Sequence, residues 1–116
     1  MNIKEIAQEL YNNIKFGIEN KNSLAKQKNL TMADYTSAGY GLREAEKLLE
    51  SLDFIDFTSL QTELDLIKEE EIKRLAPIKS VNVRKFNKYL KEINNICFEA
   101  LILTANIIHN KIVSAK

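Results

Sequence analysis

The side chains that usually carry chemistry are scarce in this sequence. It has one histidine, His109, and one cysteine, Cys97. Imidazole changes charge near neutral pH, which makes His109 the candidate general base. It falls near the end of the last apolar segment, where a helix C-terminus favours a cationic ring, and it is read as a surface or structural histidine. Cys97 stands among apolar neighbours, with no histidine or second cysteine nearby. That setting suits a buried, inert thiol better than a nucleophile. One histidine cannot build the multi-histidine sites of catalytic zinc enzymes. One cysteine cannot close a disulfide within the chain. Paired carboxylates do occur. Glu46 and Glu50 lie four apart, on one helical face, but a di-metal bundle also needs two Glu-x-x-His motifs. Phosphate-binding glycine loops, nucleophile elbows and Cys-x-x-Cys pairs are absent from the sequence. No catalytic residue, metal site or cofactor is assigned, and the expectation is a protein that is not an enzyme.

The densest polar feature is basic. Lys79, Arg84, Lys85, Lys88 and Lys91 occur with no acid between them. Arg84, Lys88 and Lys91 follow steps of four and three and so share a helix face. Positive charge in a first helical turn opposes the helix dipole, and a local rule broken in this way can mark a functional site. Phe86 and Tyr89 are interleaved, as in surfaces that stack on bases. A second reading pairs these charges with Glu69-Glu70-Glu71 across a turn at Pro77, through individually weak surface contacts. That reading is preferred because it fits the net charge of +1; binding an external anion is the other.

Two short stretches resemble known families. Asn106-Ile107-Ile108-His109 resembles the tail of the HEPN-domain ribonuclease motif, in which an arginine stands a few residues before a histidine on a late helix of a small bundle. Thr104 holds that place here and the nearest upstream arginine is Arg84, so the catalytic role is not carried over. Glu9-Leu10-Tyr11-Asn12-Asn13-Ile14 resembles the start of some bacteriocin immunity proteins, which are cytoplasmic four-helix bundles of about this length from low-GC bacteria. The likeness covers about a dozen residues and implies an architecture, not a function.

The elements that must position these residues are helical. In 116 residues there are three glycines and one proline, too little turn material for an all-β fold. Ile3, Ile6, Ala7, Leu10, Ile14 and Ile18 repeat at helical spacing and predict a first helix over 3–26. Thr31 with Asp34 forms a capping-box pattern, and Leu30 with Tyr35 a hydrophobic staple. A second helix follows with the seam Tyr35, Ala38, Leu42, Ala45, Leu49 and Leu52. Gly39 and Gly41 fall inside it, either for close packing on a neighbouring helix or as a hinge. A third helix begins near Thr58, with Asp56 as a competing cap, presents Leu60, Leu64, Ile67 and Leu75, and ends at Leu75 or Ala76 before Pro77. The fourth runs over 83–113 with Ser80 or Asn82 as cap, about 45 Å long. Phe86, Leu90, Ile93, Cys97, Leu101 and Ile108 line one of its faces, and Phe98, Ile102, Leu103 and Ile107 fill the others.

The fold expected is all-α: one domain over 1–116, an antiparallel four-helix bundle with a long, strongly apolar C-terminal helix. The N-terminus alternates charged and apolar residues, unlike a signal peptide. The apolar run from Ile96 to Ile108 is thirteen residues long and interrupted by Glu99, Thr104 and Asn106, too short and polar for a bilayer span. A cytoplasmic location is expected. Asn, Lys and Ile supply about a third of the chain, which suggests an AT-rich genome, a low-GC bacterium or its phages. The function expected is a small protein-binding regulator, adaptor or inhibitor, immunity-protein-like or of phage or mobile-element type. Phe98, Ile102, Leu103 and Ile107 would meet another protein or a second copy as a homodimer. The alternative is a nucleic-acid-binding module using 79–91, against which the near-neutral charge weighs.

Overall fold

Three of the described helices start where a short polar side chain accepts one of the first orphan N–H groups. In the computed structural model, which describes residues 1–27, 29–34 and 39–115, Asn2 opens α1 (Ile3–Leu24) by accepting from the Glu5 N–H at 2.9 Å. Asp56, not Thr58, opens α3 (Phe57–Val81), accepting from the Ser59 N–H at 3.1 Å. Asn82 opens α4 (Val83–Ser114) through the Lys85 N–H at 3.1 Å. The Thr31–Asp34 capping box also forms, in both directions: Thr31 N–H donates to Asp34 Oδ2 at 2.8 Å and Asp34 N–H to Thr31 Oγ1 at 3.2 Å. These backbone bonds, Thr31 on Asp34 and Ser59 on Asp56, hold both carboxyls below the usual carboxylate range. Helical residues 32–34 follow the box. The next described helix, α2 (Tyr40–Glu50), begins after Gly39 and is shorter than the single helix expected from Thr31 onward. Tyr35 and Ala38, and with them the proposed staple, lie outside the described residues. Among those residues there is no strand, and the protein is all-α.

The two glycines of one helix crossing set how closely α1 and α2 approach. A Cβ on Gly41 would stand 2.3 Å from the Asn13 carbonyl oxygen and 2.6 Å from Gly17 N. Gly41 is therefore packed directly against the α1 backbone, the close-packing use expected of it. Phe16 and Tyr40 close the crossing edge to face, their ring centres 6.1 Å apart.

α3 runs straight past the point where the sequence suggests it stops. Pro77 lies inside it, exposed, so the Lys73 carbonyl that loses its helical partner can turn to water. Leu75 and Ile78, both half-buried, keep the last turns against the molecule. The reversal comes at Asn82 alone, which ends α3 and caps α4. Cys97 Sγ lies 3.9 Å from the Leu64 carbonyl, at nearly equal distance from the turn on either arm, as an antiparallel pair requires.

Among the four helices given ranges here, α1 and α4 each pack against the other three, while α2 and α3 flank them with no contact between their described residues. Buried side chains from all four meet in one core: Ile6, Leu10 and Ile14 of α1, Ala45 and Leu49 of α2, Leu60 and Leu64 of α3, and Ile96, Ala100 and Ile107 of α4. Near its C-terminal end α4 also secures α2, since Lys111 Nζ donates to the carbonyl of Leu49 at 3.3 Å and to that of Leu52. The molecule measures 53 × 37 × 21 Å. α4 sets the long axis, and the short one is about two helix diameters, so much of every helix faces outward.

Candidate functional site

The residues with catalytic potential are not brought together. His109 is exposed on α4. Cys97 is buried and free, and burial pushes its thiol pKa up, which lowers its reactivity. Among the described residues no group of three or more His, Cys, Asp or Glu is placed to hold a metal ion.

The basic and acidic blocks do not meet. No ion pair among the described residues joins Lys79, Arg84, Lys85, Lys88 or Lys91 to Glu69-Glu70-Glu71. Glu71 instead pairs with Arg74 on its own helix at 2.5 Å. The reason is register. A turn at Pro77 would set 69–71 level with the start of α4, but the turn at Asn82 sets them level with about residues 93–95, beyond the stripe. Arg84, Lys88 and Lys91 are exposed. Lys79 and Lys85 are exposed as well and lie over aromatic rings, Lys79 Nζ 5.4 Å from the Phe86 centroid and Lys85 Nζ 5.8 Å from that of Tyr89. Phe86 is buried beneath Lys79, so it is not presented for stacking on bases, contrary to the sequence reading.

The apolar candidates divide between two faces of α4. Phe98 is 59% exposed and Ile102 39% exposed. Leu103 is half-buried against the core, and Ile107 is buried within it. Ile107 follows Ala100 and Thr104 at steps of seven and three, which puts it on the inward face; it is a core residue and not part of a surface. Continuing from Phe98 and Ile102 at helical spacing, the outward face takes in Ala105, His109, Ile112 and Val113, all exposed. Towards the N-terminus the same face carries Arg84, Lys88 and Lys91. The outward face of α4 is thus basic over its first half and mostly apolar over its second. The face of Phe86, Ile93 and Cys97 was legible in the sequence and is buried, but the inward placement of Ile107 was not legible.

By length and composition α4 meets the requirement for a bilayer span, over an 18-residue window of mean hydropathy 1.4 that is 28% buried. The thirteen-residue count understated it, because the apolar spacing continues on both sides of the Ile96–Ile108 run.

One feature was invisible in the sequence. A cleft of about 180 Å³ lies between α1, α3 and α4, and Tyr11 lines it. Tyr11 is 2% exposed, and its hydroxyl has no hydrogen-bond partner among the described residues. Burial, and then the Glu71 carboxylate, push its pKa well above the ordinary 10.0. The unfolded chain ionises this phenol as pH passes about 10 while the folded chain keeps it neutral. Stability fully present below that pH is therefore lost above it. Urea midpoints measured at pH 9 and pH 11 should fall less in Tyr11→Phe than in the wild type; equal falls would show that Tyr11 carries no share.

The chain matches no protein-family model, no curated protein and no solved structure.

Proposed function

We propose that this chain is a small, non-enzymatic, cytoplasmic protein-binding regulator or inhibitor that acts through the outward face of α4. The observation that carries this reading is the row Phe98, Ile102 and Ala105, continued past His109 by Ile112 and Val113, all exposed on one face at helical spacing. Large apolar side chains in a contiguous exposed row mark interaction surfaces, whereas scattered ones do not. The lysines and arginine on the same face favour a partner that sets carboxylates beside its apolar contacts. An inhibitor of the immunity or phage type is one protein of this kind, and a second copy of the chain is one such partner.

The test replaces Phe98 and Ile102 together with aspartate. Both are exposed, so the double variant should melt within a few degrees of the wild type. Wild-type protein used as bait in its host lysate should retain a protein that the variant loses. If both retain the same set, the face is not the binding surface. Light scattering at high concentration reads a dimer mass if a second copy covers the face and a monomer mass if another protein does.

Nucleic-acid binding is the second reading, supported by the exposure of Arg84, Lys88 and Lys91 without ion pairing to the α3 acids. Binding through phosphate contacts weakens steeply with salt. Absence of binding to DNA or RNA at low salt would remove this reading.

A further inference from the structure

The outward face of α4 has the spacing of a helix that pairs with another. From Arg84 to Ile112 its exposed positions alternate steps of four and three, as in Lys88, Lys91, Asn95, Phe98 and Ile102. That is the period by which one helix lies along a second. The chemistry along this seam changes once: it is cationic as far as Lys91 and mostly apolar from Phe98. Ala105 is its small residue, where a second backbone can come close. The molecule also has an acidic end. Lys111 ties the last turns of α4 to the Leu49 and Leu52 carbonyls, and Glu50 lines a cleft with Asn110 and Ser114. Glu50 and Asp53 are therefore exposed beside the C-terminal end of α4. Neither joins an ion pair among the described residues, and neither do Arg84, Lys88 and Lys91. The cations at one end of the face and the carboxylates at the other make it complementary to itself.

We infer that the occupant of this face is a second copy of the chain, paired antiparallel through α4 about a twofold axis at Ala105. The inference deepens the protein-binding reading and rests on it. Charge fixes the direction and the register. In a parallel pair Arg84, Lys88 and Lys91 would each face their own counterparts, which repels. An antiparallel pair centred on Phe98 would set the same cations against the apolar half. With the axis at Ala105, Phe98 is level with Ile112 of the second copy, and Ile102 lies beside its His109. The apolar halves then overlap over about 20 Å. Lys91 of each copy is carried about one turn past Ala115 of the other, alongside Glu50 and Asp53. Such a contact is isologous and closes at two copies. A single helix pair of this length is a small interface, so the dimer dissociates on dilution.

The test uses the full chain. Light scattering should read a monomer mass at low micromolar concentration, rising to a dimer mass towards millimolar. Under mild oxidation Ala105→Cys should form a covalent dimer. Asn95→Cys, exposed on the same face, should not, because this register holds its two copies about 30 Å apart. The wild type should not either, since Cys97 is buried. Lys91→Glu should weaken the dimer several-fold, and so should Glu50→Lys combined with Asp53→Lys. A mixture of these two charge-reversed proteins should pair more tightly than either alone. A monomer mass at every concentration overturns the inference. So does Asn95→Cys crosslinking as readily as Ala105→Cys, or a mixture that pairs no better than its components. If the wild type stays monomeric while the Phe98 and Ile102 double variant still loses its lysate partner, the dimer fails and the protein-binding reading stands. A dimer that survives in that double variant overturns the α4 contact itself.

Discussion

Gly41→Ala should cost about 3 kcal/mol of stability, while Gly17→Ala, on the other side of the same crossing, should cost little or nothing. The asymmetry is geometric. A methyl on Gly41 would fall 2.3 Å from Asn13 O, 2.6 Å from Gly17 N and 2.9 Å from Gly17 Cα. All three are backbone atoms of α1, and no side-chain rotation relieves them. The helices must separate, which loosens the core contacts of Leu10, Ile14 and Ala45 on both sides. A methyl on Gly17 meets its nearest atom, Leu42 N, at 3.4 Å, close to ordinary contact. Helix propensity favours alanine over glycine by about 1 kcal/mol at either place. At Gly17 that gain offsets the mild crowding; at Gly41 it is overwhelmed. Thermal unfolding followed by circular dichroism should show Gly41→Ala melting about 10 °C or more below the wild type, with Gly17→Ala within a few degrees of it. Similar melting temperatures for the two variants would mean that the crossing is looser than the backbone contacts imply.

The second large effect is expected at Leu10. This side chain is fully buried in the core shared by all four helices. Leu10→Ala removes buried methyl groups and leaves a cavity, at a cost of about 3–4 kcal/mol. Domains of this size are stable by roughly 5–15 kcal/mol, so a large share of the total is lost. Phe98→Ala removes a larger side chain from the 59%-exposed position on α4 and should change stability by less than about 0.5 kcal/mol. Urea unfolding of the two variants compares the inward and outward faces directly. A cost at Phe98 approaching that at Leu10 would place Phe98 in the core and remove the basis for an outward binding face.

Those comparisons follow the line between what was legible in the sequence and what was not. The Thr31–Asp34 box was legible, and Asn82 and Asp56 stood among the candidate caps although Thr58 was preferred to Asp56, because capping involves residues three apart. The core face of α1 was legible because Ile6, Leu10 and Ile14 form one narrow apolar stripe on an otherwise polar helix. On α4 the apolar residues surround the axis, and the 3.6-residue period cannot choose between two apolar faces. Ile107 was therefore grouped with Phe98 and Ile102 although it lies on the opposite side. The same limit applied at Pro77. Local chemistry favours stopping a helix there, but half-buried Leu75 and Ile78 carry α3 on to Val81. That five-residue extension moves the turn to Asn82 and takes the acids of 69–71 out of register with the basic stripe.

By itself the sequence determined an all-α protein, the Thr31–Asp34 capping box and the cap at Asn82 as one of two candidates. These depend on residue types and on spacings within one or two helical turns. Only the tertiary structure decided that the charge blocks stay apart, that Phe98 and Ile102 face outward while Ile107 faces in, that Gly41 rests on the α1 backbone, and that Tyr11 is buried beside a charged cleft. Each depends on which distant segment lies across from a residue. That is fixed by the packing of α1 and α4 through the core and by the position of one turn, neither of which local periodicity encodes.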